Sequence, residues 1–274
     1  MTSRVPCFST RKTIANNFKK MKAQEYALKY QGLADKLRID QIAPKHFNHL
    51  MDLSRGYFEA ESLRNATGST IDNCRNGMEE LLHCIFASQS ICPNSAICYD
   101  KQSNKPIAFR LYNIGFRHPL KAPFSFPEHE LSEQELSLFN PLDETFDKIW
   151  HIFPHEEVAY KTEAVYVAPS VRGSGVYQVF TQYNVDFPAT AKATGANYVG
   201  AVCTSLAIKD WHANMGFDSV YKGPSVVTNT KGESVRLPED ELLLMVDDMR
   251  DMVAVDVYPF WKEMGLKRTP YDEQ

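Results

Sequence analysis

The 274-residue sequence predicts a mixed α/β fold, in which helices flank a central sheet. Residues 95–100 and 107–114 are strand-like runs joined by a short polar segment, a pattern typical of an antiparallel hairpin. Residues 158–167 and 198–203 also read as strands, and a helical pattern follows each of them. These observations predict one hairpin and one strand–helix–strand–helix unit.

Apolar spacing and turn residues predict the remaining elements. They are a strand at 37–42, helices that begin at Pro44 and cover 71–86, a helix from Ser132 toward Trp150 broken at Pro141, a helix at 205–215, and closing strands at 217–221 and 242–246. Pro188 predicts a kink in the helix that follows Gly175, because proline removes a helical hydrogen bond.

Charge and proline content divide the chain. Residues 1–25 are predicted to be a basic arm, since the first 22 residues carry six Lys and Arg and no acid. A mitochondrial presequence is the alternative for this segment. Residues 26–274 are predicted to form one domain, with a proline-rich insertion at about 117–156 that serves as a lid.

Composition excludes several classes of protein. A net charge of −4 argues against nucleic acid as the main partner, and no apolar run is long enough to span a membrane. The six cysteines form no Cys-x-x-Cys pair and no export leader precedes them, so reduced thiols and a cytoplasmic location are expected. No metal is expected, because the histidines of the insertion lack ligand spacing. The oligomeric state is left open.

The segment 163–177 carries the clearest chemical signal. A strand leads through a turn that contains Gly173 and Gly175 into a helix, and such a turn lets backbone N–H groups approach an anion. Arg172 adds a positive charge. A P-loop would require Gly-Lys-Ser/Thr, and a dinucleotide fingerprint would require glycine in place of Gln178, so neither motif is present. An incidental turn is the alternative interpretation.

This segment resembles the coenzyme A loop of the GCN5-related N-acetyltransferase superfamily. Val167-Ala168-Pro169 and Arg172-Gly173-Ser174-Gly175 match its pattern in order and spacing, and residues 211–217 resemble its closing segment. The resemblance implies a mixed, mostly antiparallel sheet and acetyl-CoA as co-substrate. The residues that it implies for cofactor binding are Val165, Val167, Arg172, Gly173, Ser174, Gly175, Val176, Tyr177 and Thr204.

A second resemblance concerns residues 58–63. They resemble the Phe-x-x-Glu-Pro-Leu segment of the invertebrate arylalkylamine N-acetyltransferases, with Ser62 in place of the proline. This likeness implies a small primary amine as acceptor and Glu61 as general base, with direct attack on the thioester. A capping or surface carboxylate in a helix is the other interpretation of Glu61. Glu163 is the second candidate base, and strand alternation predicts that it shares a face with Val165 and Val167.

The departing thiolate needs a proton or a hydrogen bond. His212 stands where many members of the superfamily have a tyrosine for this purpose, and Ser205 and Thr204 are alternatives beside the cofactor arm. Tyr177 departs from the pattern, because it replaces a small residue of the phosphate loop. A non-catalytic acyl-CoA-binding module and a protein or peptide N-acetyltransferase are therefore kept as alternative functions.

Overall fold

The computed structural model of the protein describes residues 31–88, 94–118, 131–182, 187–237, 242–250 and 252. The predicted basic arm lies outside these ranges, as does the part of the predicted insertion between 119 and 130. Within the described part of the chain, every helix is too short or too polar to cross a membrane.

Nine strands and nine α-helices are described. The strands are β1 Leu37–Gln41, β2 Ala96–Asp100, β3 Pro106–Phe116, β4 Val158–Val167, β5 Tyr198–Cys203, β6 Asp218–Lys222, β7 Val226–Thr228, β8 Ser234–Arg236 and β9 Leu243–Asp248. The helices are α1 Gln31–Ala34, α2 Phe47–Ala60, α3 Ser62–Thr67, α4 Ile71–Ser88, α5 Glu133–Phe146, α6 Ile149–Ile152, α7 Val176–Gln182, α8 Phe187–Thr194 and α9 Leu206–Met215.

Seven strands form one mixed sheet in the order β1-β2-β3-β4-β5-β9-β6. Only the β4–β5 pair is parallel, and the other five pairs are antiparallel. The predicted mixed, mostly antiparallel sheet is therefore confirmed. Strands β7 and β8 form a separate hairpin, which the sequence analysis did not predict, and α3 was not predicted either.

Helices cover both faces of the sheet. Helices α2, α4 and α5 bury Leu50, Leu82 and Leu138 against one face, where Phe109 of β3 lies. Helix α7 buries Phe180 and its neighbours against the opposite face. A buried Val, Leu or Phe side chain contributes about 1.5–3 kcal/mol, so these contacts hold the helices on the sheet.

The predicted break at Pro141 is wrong. Helix α5 continues through Pro141, and the Thr145 hydroxyl donates a hydrogen bond to the Pro141 carbonyl at 2.6 Å. One interior proline costs about 3 kcal/mol, which the burial of Leu138 and Phe146 offsets. The kink predicted at Pro188 is not described, because residues 183–186, which precede Phe187 and Pro188 of α8, lie outside the described residues.

Candidate active site

Strands β4 and β5 separate part-way along their length. Their parallel ladder joins Tyr160–Thr162 to Val199–Ala201 and ends there, although β4 continues to Val167 and β5 to Cys203. A gap therefore opens in the middle of the sheet, at the carboxyl ends of two parallel strands.

The backbone of β4 faces this gap. Val167 lies opposite Ala108, and the next residue, Ala168, donates its N–H to the Ile107 carbonyl at 2.8 Å. Because hydrogen-bonded and non-hydrogen-bonded pairs alternate along an antiparallel ladder, Val167 and Ala108 form a non-hydrogen-bonded pair. The peptide groups of Val167 and, two residues earlier, Val165 consequently point away from β3 and toward β5. The Val167 carbonyl accepts a hydrogen bond from Arg172 Nε at 3.0 Å.

The glycine turn follows β4 directly. Gly173 and Gly175 have φ values of +75° and +91°, a region that favours glycine. Ser174 Oγ donates to the Val171 carbonyl at 2.6 Å, and α7 begins at Val176. Ser174 N–H also donates to the Val171 carbonyl, at 3.4 Å, so hydrogen bonds within the turn fix its backbone before α7 begins.

Two cavities flank the gap. The first, which we call the loop-side cavity, has a volume of about 520 Å³ and is bordered by Arg172, Gly173 and Gly175. The second, the helix-side cavity, measures about 330 Å³ and is bordered by α4 and α5. The residues that border both cavities are Tyr57, Glu61, Val165, Tyr177, Thr204 and Ile208. The two cavities therefore meet along these six residues, which we call the ridge.

Glu61 lies on the ridge and is 7% exposed. Its side chain caps α3 by accepting a hydrogen bond from Leu63 N–H at 3.2 Å. Burial raises the pKa of Glu61, although hydrogen bonds from Thr204, Leu63 and Tyr57 favour the charged form. Glu61 is thus both a helix cap and a carboxylate with a raised pKa between two cavities.

The predicted position of Glu163 is wrong. The β3–β4 register shifts between Leu111 and Tyr112, so Glu163 has no partner in the ladder. This bulge interrupts the alternation and turns Glu163 toward α5, away from the faces of Val165 and Val167. Glu163 borders the helix-side cavity only.

Glu163 belongs to a charged cluster that the sequence analysis missed. Lys161 Nζ lies 2.9 Å from Glu163 Oε2 and 2.7 Å from Asp143 Oδ1 of α5. Burial raises the pKa of Glu163, and Lys161 opposes that rise. The two carboxylates in turn raise the pKa of Lys161, despite burial. Among the described residues, the Lys161 ammonium is therefore the charged partner of Glu163, and it stays protonated at neutral pH.

His212 and Ser205 belong to α9. His212 is 2% exposed, and its Nδ1–H donates to the Ile208 carbonyl at 2.9 Å. Burial lowers the pKa of His212 to about 4, so the ring is neutral at pH 7. Ser205 caps α9 by accepting a hydrogen bond from Ile208 N–H at 3.4 Å, and it borders the loop-side cavity.

Comparison with known proteins gives structural matches only. Neither a protein-family model nor a curated protein matches the sequence. Among solved structures, the C-terminal condensation domain of Ebony in complex with beta-alanyl-dopamine superposes with a TM-score of 0.58 at 12% identity, covering 78% of this chain and 99% of that chain. Mosquito arylalkylamine N-acetyltransferase like 5b gives a TM-score of 0.56 at 16% identity, covering 77% and 99%.

A third structure is the polyamine N-acetyltransferase of Drosophila melanogaster, described as forming N-acetylagmatine. It gives a TM-score of 0.53 at 14% identity and covers 77% of this chain and 99% of that chain. This chain has the GCN5-related N-acetyltransferase fold. At these identities the likeness concerns the fold, and function has to be argued from the residues of the site.

Tyr177 occupies a position of this GCN5-related N-acetyltransferase fold where the sequence pattern has a small residue. Its ring contacts the Trp211 ring of α9 edge-to-face, with centroids 5.0 Å apart and an interplanar angle of 88°. Burial raises the pKa of Tyr177. The ring therefore leans toward α9 and leaves the backbone of the glycine turn open on the loop side.

Sequence reasoning singled out the glycine turn and Glu61, which border the cavities, but not the other residues that line the helix-side cavity. Four carboxylates border it, Glu61, Glu80, Asp143 and Glu163, and among the described residues Lys161 is its only ammonium. Asp143 and Lys161 lie on different elements, so no local sequence pattern signals their contact. No group of three His, Cys, Asp or Glu side chains suited to a metal occurs within the described ranges.

Proposed function

We propose that this chain is an acetyl-CoA-dependent N-acetyltransferase that acts on a small primary amine. The observation that carries the proposal is the position of Glu61, which lies where a cavity beside a glycine turn meets a cavity lined by carboxylates. One cavity would hold the acyl donor and the other the acceptor. The fold that the chain shares with N-acetyltransferases supports this assignment.

The residues around the gap fit coenzyme A. The Val165 carbonyl and the Val167 N–H, which point away from β3, would pair with the amides of the pantetheine arm, and the turn of Gly173, Ser174 and Gly175 with Val176 and Tyr177 would hold the pyrophosphate through backbone N–H groups. Arg172 lies beside that turn and adds positive charge. Bound acetyl-CoA would supply the thioester that is the acetyl donor.

Glu61 would serve as the general base. An alkylamine has a pKa near that of lysine, so only about one molecule in a thousand is an uncharged nucleophile at neutral pH. The raised pKa of Glu61 makes it a better proton acceptor than an ordinary surface glutamate. Glu61 accepts the ammonium proton, the nitrogen forms a bond to the thioester carbon, and the carbon–sulfur bond then breaks.

Two further groups would stabilise the charges that develop. The Val165 N–H points into the gap and would donate to the oxyanion. Ser205 is better placed than His212 to donate to the departing thiolate, because Ser205 Oγ accepts from Ile208 N–H and keeps its own proton free. The Nδ1–H of His212 is already engaged by the Ile208 carbonyl.

The lining of the helix-side cavity favours a cationic acceptor with an apolar body. Its carboxylates outnumber its one described ammonium, and they would attract an alkylammonium ion. Phe58, Leu138 and Phe139 provide apolar walls. An arylalkylamine combines both features, whereas a peptide would require a longer open groove.

The experiment is a thiol-release assay with acetyl-CoA against a panel of arylalkylamines, polyamines, amino acids and a lysine peptide. Release with small amines, largest for those with an apolar body, is the expected result. Coenzyme A binding without release for any acceptor would instead favour the non-catalytic acyl-CoA-binding module. Preferential release with the lysine peptide would favour a protein N-acetyltransferase.

A further inference from the structure

His212 carries a buried acceptor atom that the proposed chemistry does not use. Because Nδ1–H donates to the Ile208 carbonyl, the neutral ring keeps a lone pair on Nε2. Nε2 is buried and has no hydrogen-bond partner among the described residues. Leaving such an acceptor unpaired is unfavourable, so it marks a place where a donor can bind favourably.

The surroundings of the ring leave few sources for that donor. The Trp211 and Phe217 rings meet the imidazole edge-on, each with centroids 4.8 Å away. Cys203 Sγ lies 3.6 Å from Nδ1, which is the nitrogen already engaged. Among the described residues, His212 also borders the helix-side cavity, together with Thr204 and Ile208.

The candidate base borders the same cavity. Glu61 and His212 both line the helix-side cavity, and Thr204, which contacts Glu61 through a side-chain hydrogen bond, lines it with them. The cavity therefore has two acceptor side chains in its wall, the Glu61 carboxylate and the His212 imidazole. A neutral primary amine has two N–H groups and one lone pair, so two acceptors can hold its N–H groups while the lone pair stays free to attack.

We propose that His212 Nε2 accepts a hydrogen bond from an N–H of the acceptor amine and so orients the amine beside Glu61. This inference rests on the proposed function for the identity of the ligand. It assigns His212 to binding and orienting the acceptor, whereas the sequence pattern assigned it to the leaving thiolate. The class of ligand is a primary amine whose amino group reaches the ridge between the two cavities.

The direct test observes the nitrogen itself. The wild-type protein, labelled with ¹⁵N-histidine, is saturated with coenzyme A and titrated with the panel amine that releases most thiol, or with 2-phenylethylamine if none does. The His212 signals are assigned by their loss in His212→Phe. We expect a neutral Nδ1–H tautomer whose Nε2 resonance moves when the amine is added and not when coenzyme A is added alone. If the chemical shift of Nε2 does not change when the amine is added, the inference is overturned.

Kinetics provide a second test. His212→Phe keeps a ring against Trp211 and Phe217 but removes the acceptor, so the KM for the amine should rise about tenfold while the affinity for coenzyme A is unchanged. His212→Gln, which keeps an acceptor, should recover part of that loss. A fall in thermal stability with an unchanged KM would show a structural role, and a fall in kcat alone would show a leaving-group role. Either result contradicts the proposal.

The two proposals can fail separately. If the Nε2 resonance shifts on addition of amine but no thiol is released, the amine site is supported and the proposed acetyl-transfer activity is contradicted. If thiol is released while Nε2 and the KM of His212→Phe stay unchanged, the activity stands and the role of His212 fails.

Discussion

The Ser62 hydroxyl donates a hydrogen bond to the Thr204 carbonyl at 2.8 Å and so joins the start of α3 to the end of β5. The two residues are 142 positions apart in the chain. Their neighbours on either side, Glu61 and Ser205, border the loop-side cavity. The position of the candidate base relative to the gap thus depends on this contact.

Replacing the candidate base gives the first prediction. Glu61→Gln should lower kcat/KM for the amine by about 10²–10⁴, since a general base contributes that much. The amide oxygen can still accept from Leu63 N–H, so the cap on α3 and the affinity for acetyl-CoA should persist. The loss should shrink at high pH, where solution supplies more free amine. The measurement is the pH profile of kcat/KM.

Glu59→Gln is the matched control, because Glu59 is an exposed carboxylate on α2, two residues away. It should leave the profile unchanged. Normal turnover in Glu61→Gln together with loss in Glu163→Gln would assign the base to β4 instead.

The glycine turn gives the second prediction. Gly175→Trp should raise the dissociation constant of coenzyme A at least about tenfold, because the side chain would occupy the approach to the turn. Gly232→Trp is the control, since Gly232 also has a positive φ, +78°, but lies in the turn between β7 and β8. Calorimetric titration with coenzyme A measures both. Equal affinities in the two folded variants would exclude the turn as the phosphate site.

Burial of His212 gives a prediction about acid stability. The folded-state pKa of about 4 lies below the ordinary value of 6.5, so the unfolded chain binds the extra proton between these pH values. The free energy of unfolding should therefore fall as the pH drops from 6.5 to 4, by about 3 kcal/mol from this group. Denaturant unfolding across this range should show a smaller fall for His212→Phe.

His83→Phe is the control for acid stability, because His83 is about half exposed on α4. Its curve should parallel that of the wild type. Parallel curves for His212→Phe as well would show that His212 does not titrate as its burial requires.

The charged cluster gives the fourth prediction. Lys161→Met leaves Glu163 in a poorly solvated place without its cation, so the free energy of unfolding should fall by about 2 kcal/mol. The double variant with Glu163→Gln should lose less than the sum of the single losses, because the two residues interact directly. Denaturant titrations of the three variants measure the coupling, with the exposed Lys36→Met as control. Strictly additive losses would mean that the ion pair contributes nothing.

Local patterns in the sequence determined the strands and the glycine turn. The strand-like runs at residues 107–114 and 158–167, and the glycines at 173 and 175, depend on residues within a few positions of one another. The sheet and the opening of α7 follow from such short-range preferences, so they could be predicted. Glu61 could be singled out from its own segment, although the helix that it caps was not predicted.

Only the tertiary structure decided the chemistry of the side chains at the gap. The bulge that turns Glu163 away from Val165 arises from the register of β4 with β3. The charged cluster around Glu163 requires Lys161 of the same strand and Asp143 of α5. The tautomer and low pKa of His212 follow from burial under elements distant in sequence. Charge and proton affinity depend on which groups exclude water from a site, and those groups are brought together only when the chain folds.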